Sequence, residues 1–216
     1  MAKDNQNISN NNKEVAPDIT VNAKVNFHSG RVAELLRKLE KFLGIPLSLR
    51  STSGEVVCKT DYFYGPCSYI RGTDIGCSRC RKVYSNIGKK IIMRKVPYAC
   101  VCYCGFLVFA VPLEFRGEMV GILMGSQVLP ISDNNNVDDF KEKFKRSSKE
   151  IGLNNNKEFL DSFVKVKTLD DNRQRLKFLS YLEVIGRHFV DMAAEGKTWN
   201  AFMREIKASS PKFGDF

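Results

Sequence analysis

Two long apolar runs joined by only two residues constrain this chain more than any other feature. Phe106–Phe115 and Glu118–Val128 are both of β-strand length, and Arg116-Gly117 alone lies between them. So short a link reverses the chain only as a compact hairpin turn, so the two runs must pair antiparallel. A third run, Tyr98–Cys104, starts after Pro97 and leads into the first of them. Two shorter alternating runs, Ile45–Ser51 and Glu55–Thr60, flank Thr52-Ser53-Gly54 and carry the signal of a second hairpin. An antiparallel sheet of about five strands is expected.

The remaining apolar residues recur at helical spacing. Val32, Leu35, Leu36, Leu39, Phe42 and Leu43 form a stripe on a helix from about Gly30 to Leu43, with Gly44 placed to stop it. Asp61–Gly76 is irregular, with a short helical turn around Cys67–Arg71. Asp74 then caps a helix that runs to about Arg94. After the polar loop 130–137, helices are expected over Val137–Ile151, Lys157–Thr168 and Asp170–Ala194. In the last of these, Leu176, Leu179, Leu182, Ile185, Phe189 and Met192 make a stripe that serves either internal packing or a dimer seam. Trp199, Phe202, Met203 and Ile206 suggest one more short helix. The fold class is therefore α+β, and the order of strands and helices is that of a PAS-like sheet flanked by helices, with a helical C-terminal part.

Composition narrows the class. A chain of 216 residues with 43% hydrophobic side chains can bury a substantial core. Residues 1–26, rich in Asn and Lys and poor in large apolar side chains, read as a disordered tail; residues 27–196 form the expected domain and 197–216 an extension. No apolar run reaches the roughly 18–20 residues of a membrane span, and the N-terminus lacks the apolar stretch of a secretory signal. A cytoplasmic protein without a membrane partner is expected.

Seven cysteines stand out in that setting. An odd number of thiols in a reducing compartment points to free thiols, metal ligands or small buried side chains rather than a disulfide framework. Cys77 and Cys80 share one face of the expected helix. Cys100, Cys102 and Cys104 share one face of the expected strand. Any one cysteine alone is most simply core packing, but CxxC followed closely by CxCxC adds functional readings. Zinc places its ligand sulfurs about 3.8 Å apart, whereas strand residues i and i+2 lie about 6.6 Å apart. An iron–sulfur cluster or a thiol-lined pocket is therefore easier to build here than a zinc finger.

Charge is concentrated as well. The chain carries a net +10, and Arg71–Lys95 alone holds eight basic residues against the single acid Asp74. Such a patch can bind phosphates, but without a nucleic-acid-binding motif it reads as a solvated helix face or a dock for an acidic partner. Nucleic acid is not the expected partner. Nor is an enzyme expected. His28 borders the tail and His188 lies among apolar helix residues, and the chain has no GxSxG, P-loop or HExxH.

An ordered series of short motifs resembles the PocR-type sensory domain, a PAS-like ligand-binding module of bacterial regulators. The matching pieces are Pro66-Cys67-Ser68-Tyr69-Ile70-Arg71, the Cys77-Ser78-Arg79-Cys80 run, Cys102-Tyr103-Cys104-Gly105-Phe106, Phe109–Leu113 and Gly121–Leu129. The resemblance covers roughly Phe27 to Leu129 and implies recognition of small organic molecules, with signalling to an effector. Cys67, Cys80 and Cys102 occupy the family's usual cysteine positions. Tyr103 stands where the family commonly has histidine, and Cys77, Cys100 and Cys104 are extra.

The expected site is a pocket between sheet and helices. Tyr69, Tyr103, Phe109, Met124 and Gln127 would contact the ligand, and Cys67, Cys80 and Cys102 would form a sulfur-bearing wall. The alternative is a redox sensor holding an iron–sulfur cluster or zinc on Cys77, Cys80, Cys102 and Cys104, with Cys67 or Cys100 as substitutes. The expected partners are a small organic ligand and a separate effector or regulatory protein, with a homodimer as a further option.

Overall fold

The structure is a computed structural model that describes Phe27 and residues 30–60, 65–131, 136–153 and 157–209. The expected tail over 1–26 and His28 lie outside the described residues. Helix α1 (Gly30–Leu43) buries Val32, Leu35, Leu36, Leu39 and Leu43 of the expected stripe, while Phe42 at its margin is 41% exposed. It ends where Gly44 turns left-handed, at φ 68°.

Strands β1 (Leu47–Arg50) and β2 (Val56–Lys59) form the first hairpin. Helices α2 (Pro66–Arg71) and α3 (Asp74–Arg94) follow. The cap of α3 is Thr73, one residue before the expected Asp74. Thr73 is extended, and its hydroxyl accepts the Gly76 amide at 3.1 Å. Asp74 instead sits in the first turn, where its charge complements the helix N-terminus.

Strands β3 (Tyr98–Val101), β4 (Leu107–Phe115) and β5 (Glu118–Pro130) complete an antiparallel sheet in the order β2-β1-β5-β4-β3. Beyond it come α4 (Val137–Ser148) with a 3-10 turn over Lys149–Ile151, and α5 (Lys157–Asp161) with a 3-10 turn over Ser162–Lys165. The chain then forms β6 (Lys167–Leu169), followed by α6 (Asn172–Glu195) and α7 (Trp199–Ser209).

Strand β6 corrects the single helix expected over Lys157–Thr168. It pairs parallel with β5, Val128 opposite Lys167 and Pro130 opposite Leu169. The long β5 runs past its partners and offers free backbone groups there, and that tertiary pairing outweighs the local helical pattern.

The sheet is covered on both faces. On one, Leu47, Leu49, Phe109, Val111 and Leu113 pack against α1, α6 and α7. Gly186 permits that approach, since a Cβ there would lie 3.0 Å from Leu113 and 3.2 Å from Val111. The α6 stripe faces this core through Leu182, Ile185, Phe189 and Met192, while Leu176 is 66% exposed. Within 197–216, Phe202 and Ile206 of α7 join the same core, and His188 Nδ1 lies 3.2 Å from Glu205 Oε2. On the other face, Tyr84, Ile87 and Ile91 of α3 meet Val108, Ala110, Ile122 and Met124. At the sheet's end, Phe106, Leu129, Phe144, Ile151, Phe159 and Phe163 form a third apolar cluster with Ile70.

Candidate functional site

The CxCxC segment does not continue as the expected strand. Pairing ends at Val101 opposite Leu107, and Cys102–Gly105 turns the chain. The Cys102 amide donates to the Phe106 carbonyl at 2.8 Å, and the Gly105 amide donates to the Cys102 carbonyl at 2.9 Å. Gly105, at φ 88°, supplies the backbone conformation the turn requires. The two-residue alternation that would align Cys100, Cys102 and Cys104 is therefore lost after Val101.

In the turn, Cys102 and Cys104 share a proton unequally. The Cys104 thiol, helped by backbone amides, pulls Cys102 down to about 7, against its burial. Its partner Cys104 is pushed up, first by that same hydrogen bond and then by burial. A thiolate on Cys102 is thus favoured over one on any neighbouring cysteine: burial raises Cys67, Cys80 and Cys100.

This turn forms one wall of a cleft under α2 and α3. Cys67 and Arg71 come from α2, Cys80, Val83 and Tyr84 from α3, Phe106 and Val108 from the start of β4, and Ser126 and Gln127 from β5, with Cys102 and Tyr103 closing it. The space is about 340 Å³ counted out to its solvent mouth, and its enclosed part holds little more than a water-sized molecule.

Gln127 owes its orientation to an irregularity in β5. Between Leu107 and Phe109 the β4–β5 register slips, as β5 passes from Val128 to Gly125 with one extra residue. Gln127 sits in that bulge at φ 64°, a left-handed conformation that costs a non-glycine residue about 1–2 kcal/mol. A bulge re-aims a side chain, and strain of this kind gathers at functional sites.

The expected site residues divide. Cys67, Cys80, Cys102, Tyr103 and Gln127 line the cleft. Met124 packs beneath α3 and lines an adjoining hollow. Tyr69 turns its ring onto the edge of Phe159, with centroids 5.5 Å apart, and lies outside the cleft lining. Phe109 lies on the opposite face of the sheet, 5.0 Å from the Phe178 ring. The alternation of β4 separates them, since Val108 faces α3 and Phe109 therefore faces α6. Sequence reasoning missed Arg71, Val83, Tyr84, Phe106, Val108 and Ser126; Val83 and Tyr84 were signalled by their helical spacing from Cys80.

For the metal set, Cys80, Cys102 and Cys104 pack in one neighbourhood, whereas Cys77 lies one helical turn before Cys80, outside the cleft lining. Among the described residues, no group of three or more His, Cys, Asp or Glu side chains is placed to hold a metal ion.

A family model described as the sensory domain found in PocR matches residues 27–194. The chain belongs to the PocR sensory-domain family. The match runs from the sheet through α4 and α5 into α6, and α7 lies beyond its end. A search of curated proteins found no match. Among the described residues, no helix of this PocR domain is long and apolar enough to cross a membrane.

Proposed function

We propose that this domain is a non-enzymatic sensor that binds a small organic molecule in the sulfur-lined cleft and signals through contacts with a separate effector protein. The observation that carries the reading is the position of Phe106. Its ring lines the cleft, and the same ring stacks on Phe163 at 6.0 Å and meets Phe144 at 6.4 Å. A ligand that displaces Phe106 must repack the cluster holding α4, α5 and the 3-10 turn over Ser162–Lys165. Packed cores respond by switching arrangement rather than by yielding smoothly. Membership of a sensory family and the strained Gln127 facing the cleft support the same reading. Free thiols at all seven cysteines suit a reducing, cytoplasmic setting.

An iron–sulfur or zinc centre on Cys77, Cys80, Cys102 and Cys104 has less support, because the described side chains do not assemble its ligands. A thermal-shift screen of small alcohols, acids and amides tests the proposal, together with anaerobic purification and assay of iron, zinc and sulfide. Ligand-dependent stabilisation of a metal-free protein is expected. Stoichiometric metal lost on Cys80→Ser would overturn it.

A further inference from the structure

The turn that closes the cleft holds two sulfurs in one small loop. Cys102 opens it, Cys104 stands two residues on, and the Gly105 amide ties the chain back to the Cys102 carbonyl at 2.9 Å. On a regular strand, residues i and i+2 lie about 6.6 Å apart, near the far limit of the roughly 4.4–6.8 Å between Cα atoms that a disulfide spans. Here the segment turns instead of extending, and the Cys104 thiol is hydrogen-bonded to the Cys102 sulfur. Both are half-buried free thiols rather than sealed core residues. Cys102 lines the cleft, whose enclosed part admits a molecule little larger than water, and Cys104 is not among the lining residues. The neighbouring thiols are placed less well for pairing with Cys102. The Cys80 sulfur is engaged by the Tyr103 hydroxyl at 3.5 Å, and Cys67 belongs to a separate element, α2.

We infer that Cys102 and Cys104 form a modification site for hydrogen peroxide, Cys102 taking the oxygen and Cys104 closing a disulfide. An accessible reactive thiol beside a resolving one is the arrangement of redox-sensing cysteines. In the first step the Cys102 thiolate attacks one peroxide oxygen. An S–O bond forms, the O–O bond breaks, and the departing hydroxide takes a proton from solvent to leave as water. Sulfur is thereby oxidised by two electrons to the sulfenic acid, and the peroxide is reduced. In the second step the Cys104 sulfur attacks that of Cys102. An S–S bond forms, the S–O bond breaks, and hydroxide leaves with the Cys104 proton as water. The Cys104 hydrogen bond that holds the Cys102 thiol below its ordinary range favours the first step. The bridge removes a free thiol from the cleft wall, so oxidation alters the surface that an organic ligand would meet without depending on that ligand.

The test uses the reduced, chelator-treated full chain with hydrogen peroxide near neutral pH. Chymotryptic cleavage after Tyr103 puts Cys102 and Cys104 on separate peptides, so mass spectrometry reads the bridge in the unaltered protein. A Cys102–Cys104 disulfide that dithiothreitol reverses is expected. Cys104→Ser should instead accumulate a sulfenic acid on Cys102, trapped by dimedone, and Cys102→Ser should lose the fast phase of peroxide consumption. A bridge from Cys102 to Cys67 or Cys80, or a sulfenic acid that forms first at another cysteine, would overturn the inference. So would thiols that all stay reduced at a peroxide excess that oxidises free cysteine.

Discussion

The Cys80 thiol lies 3.5 Å from the Tyr103 hydroxyl, which in turn donates to the Gly76 carbonyl at 3.0 Å. One phenol thus ties the β3–β4 turn to two points on the first turns of α3. Tyr103→Phe removes both bonds and leaves the ring under Arg79, whose guanidinium lies 5.8 Å from it. A loss of about 1 kcal/mol is expected for a partly exposed bond of this kind. For a domain of this size that is a fall of about 2–4 °C in Tm, readable by calorimetry. Alkylation of Cys102 should quicken as the turn loosens, while Cys80 loses the phenol that favours its thiolate and is raised further.

Thiol reactivity should single out Cys102. Its rate with iodoacetamide is expected to rise through a pH of about 7, where its thiolate forms. Cys67, Cys80 and Cys100, raised by burial, react only at higher pH. Cys104→Ala removes the donor that lowers Cys102 and should move the inflection up, while Cys104→Ser keeps a donor and moves it less. The same depression makes Cys102 a source of stability above the unfolded thiol value of about 8.5. That contribution is lost as pH falls through about 7. Residue-resolved mass spectrometry across pH checks the rates, and denaturation across the same range checks the stability.

Gln127 separates backbone strain from side-chain function. Gln127→Gly relaxes the left-handed backbone, and Gln127→Ala keeps the strain while removing the amide. The glycine variant should be the more stable of the two by about 1 kcal/mol in urea denaturation. Both should lose ligand affinity, since each lacks the amide that faces the cleft.

The aromatic cluster at the sheet's end should be the hinge of the response. Phe163 is fully buried between Phe106, Phe144 and Phe159. Phe163→Ala is expected to cost about 3–5 kcal/mol, from lost burial and the cavity left behind. Hydrogen exchange should show the loss first in α4, α5 and the 3-10 turn over Ser162–Lys165, which meet at this cluster, with α1 and the β4–β5 pair the last to open.

Much of this architecture was legible because it is written locally. Six apolar residues at helical spacing and a left-handed glycine define α1 without reference to any neighbour. The two-residue link Arg116-Gly117 leaves β4 and β5 no other arrangement. Strand β6 was hidden because three residues carry little pattern, and its existence depends on the overhanging end of β5. The turn at Cys102–Gly105 was hidden because alternation continues on paper past Val101, while the hydrogen bonds to Phe106 end the strand. The sulfur wall could be anticipated from spacing. The convergence of Arg71 from α2, Tyr84 from α3 and Ser126 from β5 on one cleft joins distant positions, and no local pattern announces it.

The account stands or falls on where a ligand binds. The direct measurement is a two-dimensional amide NMR titration of the isotopically labelled full chain with the strongest stabiliser from the thermal screen. The account predicts shift changes centred on Cys80, Val83, Tyr84, Phe106, Ser126 and Gln127, with a weaker set spreading to Phe144 and Phe163. Changes confined to the α1–α6 face, or a cleft that stays silent at saturation, would contradict it.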